Sequence, residues 1–131
     1  MNDEERYRRY FELFNKWLYL RNNKISIFAD TRLKEKSVAI YGLGNTGRRL
    51  VEEFELEGQV ISYIVDREAD NLFSEYAIYS PEDDLPFADI MIFSLISDYE
   101  TTVPPLAQYF KGKILCLEDI INDLWRKELV E

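Results

Sequence analysis

Val38-Ala39-Ile40-Tyr41-Gly42-Leu43-Gly44-Asn45-Thr46-Gly47 is the stretch from which the rest of the chain is read. Its first four residues form a short apolar run of the kind found in a parallel strand covered on both faces. The run ends at a glycine, and two more follow at the spacing G-x-G-x-x-G. Residues 45–57 then turn helical in period: Leu50, Val51 and Phe54 share one side, Glu52, Glu53 and Glu57 the other, and Gly58 stops the helix. Strand, glycine turn and helix in that order give each glycine a mechanical task. Gly42 permits the tight turn out of the strand, Gly44 leaves room for a pyrophosphate to approach the backbone, and Gly47 lets helix and strand pack closely.

The free N–H groups of residues 44–47, with the positive end of the helix dipole behind them, form a cradle for a phosphate. Downstream, Val60-Ile61-Ser62-Tyr63-Ile64-Val65 reads as a second strand. It ends at Asp66, nineteen residues after Gly47, where an acid accepts hydrogen bonds from a ribose diol. The expected nucleotide contacts are therefore Gly42, Leu43, Gly44, Asn45, Thr46 and Gly47 in the turn, Asp66 and Arg67 after the second strand, and Ser94 after a later one. Asp66 repels a 2′-phosphate, which favours NAD over NADP; Arg67 pulls the other way, because an arginine beside the acid tolerates that phosphate. Arg48 and Arg49 start the helix within reach of a phosphate, but read more simply as solvated helix residues.

The remaining elements extend the same alternation. The polar stretch 66–76 leads to a short strand at 77–79. Ser80-Pro81-Glu82-Asp83 has the grammar of a helix start, with Pro86 as its end. Residues 89–93 form a fourth strand. Ser97 and Glu100 have capping-box spacing, but Pro104-Pro105 argues for a loop through Val103 and a helix over 105–110. A fifth strand at 113–117 and a closing helix at 118–129 complete a Rossmann-like α/β domain over 37–131. Its doubly wound parallel sheet of about five strands should run in the order 3-2-1-4-5. Residues 1–36 form an N-terminal helical extension of the same domain. Its long helix, 4–20, carries an apolar stripe of Tyr7, Tyr10, Phe11, Phe14, Trp17 and Leu18, and Ser26 caps a shorter helix from Ile27 to about Lys34. That aromatic stripe is expected to mediate a homodimer or contact with a partner enzyme, the alternative being that it docks on the domain's own flank or on the second helix.

Composition limits the chemistry. The chain of 131 residues carries a net charge of −9, unevenly spread: nine basic against six acidic residues in 1–36, and seven against nineteen in 37–131. An acidic body argues against nucleic-acid binding. With no histidine and one cysteine, triads, imidazole metal sites and disulfides are excluded, and Cys116 reads as a packing residue. No apolar run approaches a membrane span, the N-terminus is acidic where a signal peptide would be basic, and a cytoplasmic location is expected. Ser94, Ser97, Asp98 and Tyr99 border the crevice beyond the fourth strand, yet no complete acid–base constellation is found among them.

Lys16-Trp17-Leu18 with Leu20, Ser37 through Gly44, Val65-Asp66-Arg67, Tyr79-Ser80-Pro81-Glu82 and Leu117-Glu118-Asp119 resemble a group of small bacterial Rossmann-like proteins described as nucleoside-diphosphate-sugar epimerase- or dehydrogenase-like. These are similar to nucleotide-binding domains of surface-polysaccharide enzymes, including sugar acetyltransferases and initiating sugar transferases. The resemblance implies NAD or a UDP-sugar bound at Gly42, Gly44, Gly47 and Asp66. The chain lacks room for the substrate domain of full epimerases, and no Tyr-x-x-x-Lys dyad is assigned. A binding module in carbohydrate metabolism is therefore expected ahead of two alternatives: an NAD-dependent enzyme completed by another subunit, and a ligand-free scaffold.

Overall fold

The computed structural model describes residues 1–130. Five strands, β1 (Val38–Tyr41), β2 (Ile64–Val65), β3 (Ile78–Tyr79), β4 (Ile90–Phe93) and β5 (Lys113–Cys116), form one parallel sheet in the order β3-β2-β1-β4-β5. The doubly wound arrangement of the sequence reading is thus present. The second strand is shorter than its apolar run, although residues 62 and 63 still bond to β1: Ser62 N–H donates to Val38 O at 2.8 Å and Ile40 N–H to Tyr63 O at 3.0 Å.

Strand residues alternate between two cores, as the pleat dictates. Val38 and Ile40 face the side covered by α2 (Asn45–Leu56), α4 (Leu117–Val130) and the N-terminal α1 (Asp3–Asn22). Ala39 and Tyr41 face the side covered by α3 (Tyr99–Leu106) and the segment leading into β4. The N-terminal extension belongs to the first of these cores, for Leu13, Trp17, Leu20, Ile27 and Leu33 are buried in it. Glu53 of α2, 3% exposed, ties the extension down by accepting from Trp17 Nε1 at 2.8 Å, Arg21 Nη2 at 2.9 Å and Ile27 N–H at 2.8 Å.

Four local expectations are corrected. The stripe of α1 is rotated: Leu13 and Leu20 join Trp17 in the core and Tyr10 and Phe14 pack against it, while Tyr7, Phe11 and Leu18 stay exposed. The helix expected over 27–34 is two 3-10 turns, Ile27–Ala29 and Thr31–Leu33. Ser26 caps the first as expected, but Asp30 interrupts the run and caps the second through Arg32 N–H.

No helix follows Ser80. The four residues between Pro81 and Pro86 are too few to propagate one, and Asp83 instead accepts Ser80 N–H at 2.8 Å to close a turn. Finally, α3 begins at Tyr99 and contains both Pro104 and Pro105. Their missing N–H groups would have bonded Glu100 O and Thr101 O, both on exposed residues open to solvent.

Candidate functional site

The β1–α2 turn is built as its glycines require. Gly42 has φ +96°, a conformation that L side chains rarely adopt, and a Cβ there would lie 2.7 Å from Ser94 Oγ. At Gly47 a Cβ would meet Gly42 O at 1.9 Å, so the helix approaches the strand as closely as its backbone allows. Gly44 is different. It is exposed, its φ of −83° suits any residue, and no atom lies within 4 Å of where its Cβ would stand. It is also the N-cap of α2, and no side chain caps the helix. The protein's own packing gives no reason for glycine at this position.

Arg48 N–H is the first to bond within α2, to Gly44 O at 2.9 Å. Asn45, Thr46 and Gly47 therefore present N–H groups at the helix end without intrahelical acceptors. Leu43 N–H is occupied: it donates to Asp66 Oδ2 at 2.8 Å, while Asp66 Oδ1 accepts Glu68 N–H at 2.8 Å. The acid read from its distance along the chain is thus brought against the glycine turn. Two of its roughly four acceptor positions are used by these bonds.

Ser94 lies beneath the turn rather than on its surface. It is 1% exposed, and its hydroxyl donates to Tyr41 O at 2.7 Å, with Gly42 O at 3.2 Å. Arg67 crosses the end of the sheet and donates from Nη2 to Thr102 Oγ1 of α3 at 2.9 Å. Burial raises the Tyr41 phenol above its ordinary pKa, and the neighbouring Arg67 guanidinium offsets part of that rise. Arg48 is exposed, and Arg49 pairs with Glu52 at 2.8 Å.

Two clefts open at the end of the sheet where β1 and β4 diverge to opposite neighbours, and they meet at Thr101. The first, about 400 Å³, has Tyr41, Arg67, Ser80, Thr102 and Tyr109 in its wall. The second, about 630 Å³, lies where the N-terminal end of α1 meets the residues after β4 and β5. There Tyr10 Oη accepts Ile96 N–H at 3.1 Å, and Arg9 Nε donates to Glu118 at 3.1 Å. Ser97, Asp98 and Tyr99 line this larger cleft, as does Cys116, whose thiol is pushed up by burial and is no activated nucleophile. The residues of the glycine turn line neither cleft.

The sequence reading overlooks one pair with Tyr-x-x-x-Lys spacing, Tyr109 and Lys113. A working dyad needs both side chains on one helix face. Here Tyr109 sits in the turn after α3, whereas Lys113 opens β5 beyond the bend at Gly112, so the pair is not so arranged. Among the described residues no group of three or more acidic or cysteine side chains is placed to hold a metal ion, and no helix is long and apolar enough to cross a membrane. No family model, curated protein or solved structure matches the chain.

Proposed function

We propose that this chain is a nucleotide-binding module whose α2 end holds a phosphate of NAD or a nucleotide sugar, with Asp66 receiving a ribose. The observation that carries the reading is Gly44. An uncapped helix N-terminus with open space around it would be stabilised by serine, asparagine or aspartate. Glycine there forgoes a few tenths of a kcal/mol and leaves the backbone bare, which is what a close-approaching phosphate needs. Asp66, with acceptor capacity to spare beside the same turn, supports the reading.

NAD is favoured over NADP on two grounds. Asp66 places negative charge where a 2′-phosphate would lie, and Arg67 is engaged with Thr102, so it meets that phosphate only by giving up its bond. A binding role is favoured over catalysis because Tyr109 and Lys113 do not converge, and the chain contains no histidine.

The resemblance to domains of surface-polysaccharide enzymes makes UDP-sugars the next ligands to try. Thermal unfolding with NAD, NADP, UDP-sugars and coenzyme A separates the readings. A ligand of the native state present at about 100 times its Kd adds about 2.7 kcal/mol of stability. A shift with NAD or a UDP-sugar is expected; no shift with any nucleotide would leave the turn a packing device.

A further inference from the structure

The outer face of α1 holds an apolar stripe that the fold does not use. Tyr7, Phe11, Leu18 and Tyr19 are 65%, 69%, 57% and 39% exposed. Tyr7, Phe11 and Leu18 recur at helical spacing along one line, on the side turned away from Leu13, Trp17 and Leu20. Exposed aromatic residues grouped on one helix face mark contact surfaces more often than free ones. Beside the stripe stand Arg8 and Glu12, one turn apart and opposite in sign, both exposed and without an ion-pair partner among the described residues.

We propose that this face binds the same face of a second copy through its Tyr7–Phe11 end, the two α1 helices running antiparallel about a two-fold axis level with the turn between Tyr7 and Phe11. That arrangement sets Tyr7 of each copy against Phe11 of the other. It brings Arg8 to Glu12 twice, once on each side of the axis, so the one sequence satisfies both halves of the contact. Charge selects the face as well as the partner. Residues 37–131 carry seven basic against nineteen acidic side chains and repel their own copies. Helix α1, with five basic and four acidic residues, is close to neutral and is where two copies approach at least cost. The inner face of α1 remains docked on α2 and α4, so association needs no opening of the fold.

With Tyr7 and Phe11 as its main apolar contacts, the dimer is expected to be weak and to form in the micromolar range. Sedimentation equilibrium of the full chain over micromolar to high-micromolar concentrations tests this. The mass should rise from 15.6 kDa toward twice that value with increasing concentration. Tyr7→Glu with Phe11→Glu, both at exposed positions, should remain folded by circular dichroism and monomeric throughout. Arg8→Glu and Glu12→Arg should each weaken association several-fold, and the double exchange should restore it. A wild-type chain that stays monomeric overturns the proposal. So does a dimer that survives both glutamates, and single charge reversals without effect overturn the pairing that selects a second copy.

Discussion

Gly44 and Gly47 are three residues apart in one motif, yet they answer to different causes. Gly47 is demanded by packing: its Cβ would stand 1.9 Å from Gly42 O, and neither backbone can yield without moving strand or helix. Gly47→Ala should cost about 1–3 kcal/mol in denaturant unfolding. Gly44→Ala meets open space and only replaces a tolerated N-cap by a poorer one, so it should cost less, no more than about 1 kcal/mol. Equal losses at the two positions would contradict this division.

A second residue-scale expectation concerns acid. The Arg32 guanidinium, hydrogen-bonded to Asp30, holds that carboxyl below its ordinary range, and Ser37 N–H and hydroxyl do the same for Asp89. A carboxyl depressed in the folded state contributes stability that is fully present above its unfolded pKa, near 3.9. That contribution fades as pH falls through the folded value. Stability should therefore decline below about pH 4, and Asp30→Asn should flatten the decline. An unchanged acid limb in the variant would remove Asp30 from the account.

At the scale of elements, α1 shows what side-chain periodicity conveys and where it stops. Leu13 is 2% exposed and Phe11 69%, two positions apart. Leu13→Ala should cost about 2–5 kcal/mol, whereas Phe11→Ala should change stability by no more than about 0.5 kcal/mol. A reversal would place Phe11 in the core and contradict the division of the stripe. The single stripe joins residues from two sides because α1 is apolar on both, and hydrophobicity alone does not say which one the body covers. Glu53 supplies the missing information: it fixes the inner face by accepting from Trp17 and Ile27 N–H, a pairing across 36 and 26 residues that no local pattern contains. Glu53→Ala should cost about 3–5 kcal/mol, since it strands buried donors on both partners.

Proline is compatible with helix at α3, where the carbonyls it orphans lie on exposed residues, and incompatible at 81–86, where two prolines leave no length for one. The strand order and the turn were legible because apolar runs, glycine spacing and the Asp66 distance are all local in the chain. The placement of Ser94 under the turn, and of Arg67 across to Thr102, depends on contacts between separate elements.

The whole molecule sets what such a site can do. Its five strands and their helices use nearly all of the chain, α1 closes over the ends of β4 and β5 through Tyr10 and Arg9, and the glycine turn remains open beside Asp66. A ligand that bound there would stabilise the fold by binding alone.

The central claim is that Gly44 is glycine for a ligand's sake, and Gly44→Asp tests it most directly. Aspartate at this N-cap should accept N–H bonds from the first turn of α2 and raise unfolding stability by about 0.5–1 kcal/mol. The same carboxylate should occupy and repel the phosphate position. Calorimetric titration of both proteins with the ligand that gives the largest thermal shift should then show wild-type binding weakened by at least about a hundredfold in the variant. Equal affinity in a folded, stabilised Gly44→Asp protein would contradict the account.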